Sequence, residues 1–301
     1  MQKYLSLLSL SLLLLACNTA AKTKDAAHER VVTVTIEPQR FFLEQLVGDE
    51  YTINTLVPPG TSPETYEPSP SVMIEMGKSD IYFRVGELGF EKVWSSRLEQ
   101  NNPDVTIVDC SAGIDLMEGD LHGHSHDHAD HAGDGHSDSA LDPHVWSSPR
   151  AMKIFTKNML EALVKADPDN EPLYRSNFEI LTHRINATDS TIQALLQDAS
   201  TDSFIIFHPA LGYFARDYGS HQYSIEFEGK NPSPSQIKEL VDLARKEKIN
   251  TVFIQRGFDA KNAEVIAQEI NAELFEIDPM TYKWDEELIR IATILSRQKD
   301  E

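Results

Sequence analysis

Six histidines, His122, His124, His126, His128, His131 and His136, fall within fifteen residues in the run HGHSHDHADHAGDGH, interleaved with Asp127, Asp130 and Asp134. Neutral imidazole is a preferred ligand of zinc, copper and nickel, and alternate spacing lets a pliant chain offer several nitrogens to one cation. The stretch lacks the apolar residues that a core requires, so a metal-collecting loop is expected over 120–138. The competing reading is a solvated low-complexity insert whose metal affinity is incidental. Either way, such a tract cannot hold ligands in one fixed geometry, and a selective site must lie elsewhere.

Four side chains are candidates for that fixed site. Glu64 lies in the proline-rich stretch PPGTSPETYEPSP and His144 in LDPHVWSSP, while His208 closes the apolar run FIIFH before Pro209 and Asp278 closes ELFEID before Pro279. Two neutral imidazoles and two carboxylates balance a divalent cation in formal charge, which lowers the cost of burying it. A closed four-coordinate shell suits binding, whereas a catalytic zinc usually keeps one position open for water. Each residue also has a plain structural reading: a hydrogen-bonded histidine, a turn-initiating aspartate, a solvated loop glutamate. His28, His183 and His221 have no comparable placement and read as tail, helix surface and the start of a strand. A zinc hydrolase finds no support, because the chain has no His-Glu-x-x-His, no His-x-Glu with Pro-Cys-x-x-Cys and no Gly-x-Ser-x-Gly.

The elements that must position these residues alternate between β-branched runs and amphipathic stretches, the pattern of parallel sheets covered by helices. VVTVTI (31–36), YTINTLV (51–57), DIYFRVG (80–86) and DVTIVDC (104–110) read as one set of strands. SFIIFH (203–208), QYSIEFE (222–228), TVFIQ (251–255) and ELFEID (273–278) read as a second. The fold expected is α/β, with two lobes of roughly four parallel strands each. Ligands of such sheets bind beyond the carboxyl ends of the strands, where all four candidates fall, two from each half; the cation is expected at the seam. From about 170 to 199 apolar residues recur at spacings near three and four without glycine, predicting one long helix that bridges the lobes as a stiff strut, or two helices with a bend near Asn186. The expected organisation is a first lobe over 31–168, a linking helix over 169–199 and a second lobe over 200–301.

The beginning of the chain, MQKYLSLLSLSLLLLAC, holds only leucine and serine from Leu5 to Leu15, too short a run to span a bilayer, and reads as an export signal over 1–17. LLAC resembles the lipobox of bacterial lipoproteins, which implies acylation of Cys17 and a polar tether over 18–30. Cys110 is then the remaining thiol, placed by VTIVDC in a core, so neither cysteine is a ligand. A net charge of −21 argues against nucleic acid as a partner, since phosphate binding needs clustered lysine and arginine.

PPGTSPETYEPSPS, DPHVW, HPALGYFARDYG and the late strand ending in Asp-Pro together resemble the zinc and manganese solute-binding proteins of bacterial ABC importers. The resemblance covers nearly the whole chain after the signal, including an acidic, histidine-rich loop before Asp-Pro-His. It implies two α/β lobes joined by a rigid helix, one metal in the cleft, and delivery to an inner-membrane permease. The family's second, third and fourth ligand positions fall on His144, His208 and Asp278. The first carries Glu64 where members usually have histidine, and glutamate often stands where this chain has Gln255. The expected function is that of an exported, lipid-anchored, monomeric zinc (Zn2+) receptor and not an enzyme. Alternatives are a manganese (Mn2+) member of the family, a carrier of a larger chelate such as a siderophore or haem, and a surface metal-buffering protein or adhesin.

Overall fold

In the computed structural model the described residues are 30–119, 141–197, 203–226 and 230–297. The first sheet comprises β1 (Val31–Val34), β2 (Thr52–Thr55), β3 (Ile81–Arg84) and β4 (Thr106–Asp109), all parallel in the order β2-β1-β3-β4. Its crossovers carry α1 (Glu37–Val47), α2 (Pro70–Met76) and α3 (Gly89–Asn101). The second sheet repeats the plan with β5 (Ser203–Ile206), β6 (His221–Ser224), β7 (Thr251–Gln255) and β8 (Glu273–Ile277), in the order β6-β5-β7-β8. There α6 (Gly212–Tyr218), α7 (Pro234–Glu247) and α8 (Lys261–Ile270) make the crossovers. Central strands β1, β3, β5 and β7 are almost wholly buried while β2, β4, β6 and most of β8 are partly exposed, as follows when helices cover both faces of a parallel sheet.

All eight expected strands are present, and the differences lie at their ends. The run VVTVTI stops being strand at Val34, because the Gln39 side-chain oxygen takes the backbone N–H groups of Thr35 (2.8 Å) and Ile36 (3.1 Å). Pro38 in the first turn, where a missing N–H costs nothing, lets α1 begin at Glu37, ahead of the apolar Phe41-Phe42-Leu43 that it buries.

Between the sheets run α4 (Pro149–Ala166), with Ser148 accepting from the Ala151 N–H as its cap, and α5 (Glu171–Leu196). The latter is one unbroken helix of 26 residues, about 39 Å long, so the alternative of a bend at Asn186 is not realised. Pro172 falls in its first turn, where proline is tolerated. Its buried stripe, Tyr174, Leu181, Ile185, Thr188 and Ile192, faces α1, α4 and the final helix α9 (Trp284–Ser296). Asn177 donates to the Leu46 carbonyl (3.0 Å) in the first lobe, and Arg184 pairs with Asp285 (2.6 Å) in the second, so the strut is fastened to both.

The seam itself is apolar. The Trp284 ring packs on Phe42 (4.8 Å between centroids) and Phe41 (6.0 Å), and its indole N–H donates to the Trp146 carbonyl (2.6 Å). Trp146 in turn donates to the Pro279 carbonyl (3.1 Å). One core cluster runs from Val32 in β1 through Phe204, Ile206 and Ile291, uniting the lobes. Separating them would expose that core, which restricts hinge motion far more than a polar interface would.

Candidate metal centre

Both lobes send residues into a cleft of about 420 Å³ whose walls include His144, Trp146, His208, Arg256, Phe258 and Asp278. His208 follows β5 and faces Gln255 at the end of β7, the two strands between which chain order reverses in the second sheet. That is where open parallel sheets offer their crevice. The Gln255 amide clamps the position, accepting from the His208 N–H (3.2 Å) and donating to the His208 carbonyl (2.5 Å). Phe258 lies flat along the imidazole, at 5.8 Å and 10° between ring planes. His144 begins a short 3-10 turn over Val145–Ser147, and the Trp146 ring meets it edge-on at 5.0 Å.

Both imidazoles are buried, at 4% and 7% exposure, and each has a carboxylate behind it. His144 Nδ1 lies 2.7 Å from Asp142 Oδ1, and His208 Nδ1 lies 3.1 Å from Glu226 Oε1. A carboxylate opposite each Nδ1 accepts its N–H, which fixes each ring and turns each Nε2 toward the cleft. The two Nε2 atoms face each other at 3.2 Å. Two lone pairs at that distance repel unless a cation lies between them. Two nitrogens bonded at 2.0–2.1 Å to one tetrahedral ion would stand roughly 3.3 Å apart.

Glu64 completes the convergence: its Oε1 is 3.7 Å from His144 Nε2 and its Oε2 is 3.4 Å from His208 Nε2. Among the described residues, Glu64, His144 and His208 form a group whose donor atoms lie within 4.8 Å of one another. Glu64 arrives on the loop after β2, where the lobes touch closely enough that a Cβ on Gly257 would lie 3.2 Å from the Gly60 carbonyl oxygen. Burial works against ionisation of Glu64, but hydrogen bonding and charge from His208 win and hold its carboxyl below the ordinary range. Burial likewise opposes a charge on His208, yet Glu226 and Glu64 outweigh it and push that imidazole up to about 9.

Asp278, the fourth candidate, follows β8 on the same cavity wall but stands outside that three-residue group. Its carboxylate Oδ2 is 3.2 Å from Arg256 Nη1, and its N–H donates to Glu287 (2.7 Å). Burial pushes its carboxyl up, partly opposed by Arg256. His183 is exposed on α5 and His221 opens β6, both away from the cleft, while Cys110 is fully buried with its thiol pushed up by burial. The tract from His122 to His136, His28 and Cys17 lie outside the described residues.

Asp142, Glu226 and Arg256 carry roles that the sequence reading did not assign. For Asp142 a signal existed: an aspartate two residues before the histidine, with Oδ1 reaching both the His144 N–H (2.9 Å) and the ring. Glu226 is 18 residues from His208 and becomes its neighbour only through the pairing of β5 with β6.

Residues 32–293 match the family model described as zinc-uptake complex component A, periplasmic. The chain is 30% identical over 268 residues to the high-affinity zinc uptake system protein ZnuA of Bacillus subtilis (strain 168), covering 87% of this chain and 83% of that protein. A crystal structure of ZnuA superposes with a TM-score of 0.80 at 31% identity, covering 89% of this chain and 98% of that one. A zinc-bound 138–173 deletion mutant of ZnuA gives 0.79 at 31% identity, covering 91% and 99%. The cleft, the strut and these likenesses agree: the chain belongs to the family of periplasmic zinc-uptake component A proteins.

Proposed function

We propose that this chain is an extracytoplasmic zinc receptor, which captures one Zn2+ between its lobes and passes it to the permease of an ABC importer. The observation that carries this reading is the pair of buried imidazoles, each backed by a carboxylate and meeting Nε2 to Nε2 at 3.2 Å beside Glu64. Glu64, His144 and His208 are direct ligands in this reading, with Asp278 as the fourth, drawn in from the cavity wall. With every position taken by a side chain no place is left for a metal-bound water, so the chain carries zinc and does not catalyse. Membership of a zinc-uptake family, and zinc in the solved structure of a relative, support the choice of metal. Two oxygens and two nitrogens are also a donor set that manganese accepts, although the Irving–Williams order favours zinc. The protein is read as a monomer held to a membrane by a lipid on Cys17, with the tract over 120–138 gathering ions for the cleft. Its two lobes over 31–168 and 200–301 flank the linking helix over 169–199.

Equilibrium titration of the full chain with Zn2+ and Mn2+ tests this. One tight zinc site per chain is expected, weaker for manganese, surviving deletion of residues 120–138 and weakened about 100-fold in His144→Ala and His208→Ala. Several weak sites that vanish with the deletion would contradict it.

A further inference from the structure

Arg256 follows the last residue of β7 and Asp278 follows the last residue of β8, and these neighbouring strands pair in register, so the two side chains leave the sheet edge together. The guanidinium lies 3.2 Å from Asp278 Oδ2 and also reaches Glu276 Oε1 (3.4 Å). Arg256 is 63% exposed and Asp278 27%, so the cation extends from solvent over a half-buried carboxylate on the wall of the metal cleft. Glu64, His144 and His208 converge without Asp278. One carboxylate is therefore shared between two cations, the arginine that holds it and the metal that would use it. These two positive charges repel at the few ångströms that simultaneous contact would impose.

We propose that Arg256 sets the zinc affinity of the cleft by competing with the ion for Asp278. The inference rests on the zinc-receptor reading above. In the metal-free protein Arg256 holds the fourth donor back from the other three. Arriving zinc takes the carboxylate from it, and on release Arg256 takes it back, so that the shell opens by exchanging one cation for another. Arginine suits this role because its charge does not depend on pH in any physiological range, unlike the proton that zinc displaces from His208. Arg256 is a positioning residue and touches no metal itself.

A double-mutant cycle on the full chain tests the proposal with Zn2+ as the probe. Emission from Trp146, whose ring lies 5.0 Å from that of His144, reports the cleft, and loss of the zinc response in His144→Ala verifies that assignment. Affinity is read by titration, and release by mixing the zinc-loaded protein with excess EDTA. Arg256→Gln is expected to bind zinc roughly three- to fivefold more tightly, the range that competition from a solvent-exposed ion pair can supply, and to release it correspondingly more slowly. Arg256→Lys should lie between the two. In an Asp278→Asn background Arg256→Gln should change neither quantity. Equal tightening in both backgrounds would show simple charge repulsion and overturn the proposal, as would unchanged or weaker binding in Arg256→Gln alone. An unmodified chain that gives no cleft response to zinc would overturn the zinc-receptor reading itself, and this inference with it.

Discussion

The two lobes share one strand order, and the crevice at the carboxyl ends of their central strands is used in opposite ways. In each, a buried glutamine ties those strands together: Gln39 joins the Thr35 and Ile36 N–H groups to the Phe83 carbonyl (3.1 Å), and Gln255 clamps His208. The first lobe then fills its crevice. Glu91, fully buried, accepts from the N–H groups of Val85 and Gly86 (2.8 Å each), from the Thr35 hydroxyl and from Tyr82 (3.4 Å). The second lobe leaves its crevice available, with His208 satisfied at Nδ1 and presenting Nε2 outward. At Glu91 burial dominates and pushes the carboxyl up to about 7; at His208 the acidic neighbours dominate and push the imidazole up to about 9. Identical topology thus yields a structural plug in one lobe and, in the other, an imidazole turned toward the cleft. What decides is whether the polar group spends its lone pairs on its own backbone.

The largest effect should come from removing the plug. Glu91→Ala strands the Val85 and Gly86 backbone donors and leaves the Thr35 and Tyr82 hydroxyls only each other, and should destabilise the protein by about 3 kcal/mol or more in urea unfolding, leaving the zinc affinity of folded molecules unchanged. The same truncation in the other lobe should do the reverse: His208→Ala keeps the fold by circular dichroism but weakens zinc binding about 100-fold, one ligand's share of a structural-zinc binding energy. Removing the carboxylates behind the rings is the next step down. Asp142→Ala or Glu226→Ala frees an imidazole to turn and should weaken zinc binding by about 10- to 100-fold in titrations.

A milder lever is pH. The raised value of His208 means that its contribution to stability is complete below the unfolded value near 6.5 and is lost as pH rises through about 9. Zinc must displace that same proton, so affinity should rise with pH by about tenfold per unit until it levels near 9. Titration calorimetry in buffers of different ionisation enthalpy should register about one proton released per zinc near neutral pH. Proton release unaffected by Glu226→Ala would contradict the assignment of that proton to His208.

Much of this was legible in the residues, and the parts that were not share a cause. The eight strands follow from local β-branched runs, and the long α5 from apolar residues at spacings near three and four without glycine. His208 and Asp278 were visible because each closes an expected strand just before a proline, His144 because it lies in Asp-Pro-His after the fourth strand and the histidine tract, and Glu64 because it lies in a loop after a strand, at the end of the sheet where ligands bind. Local pattern does not report neighbours brought in by strand pairing. Glu226 behind His208 depends on the register of β5 with β6, and Arg256 beside Asp278 depends on that of β7 with β8. The end of the first strand, expected at Ile36 and found at Val34, was missed for a different reason: the strand-like Thr35 and Ile36 are claimed by one glutamine side chain.

Anomalous diffraction at the zinc edge, on crystals of the protein loaded with one equivalent of Zn2+, tests the central claim most directly. The account predicts one dominant peak bonded to Nε2 of both His144 and His208 and to a Glu64 oxygen. A peak elsewhere, or two imidazoles that separate and leave zinc bound to only one of them, would contradict it.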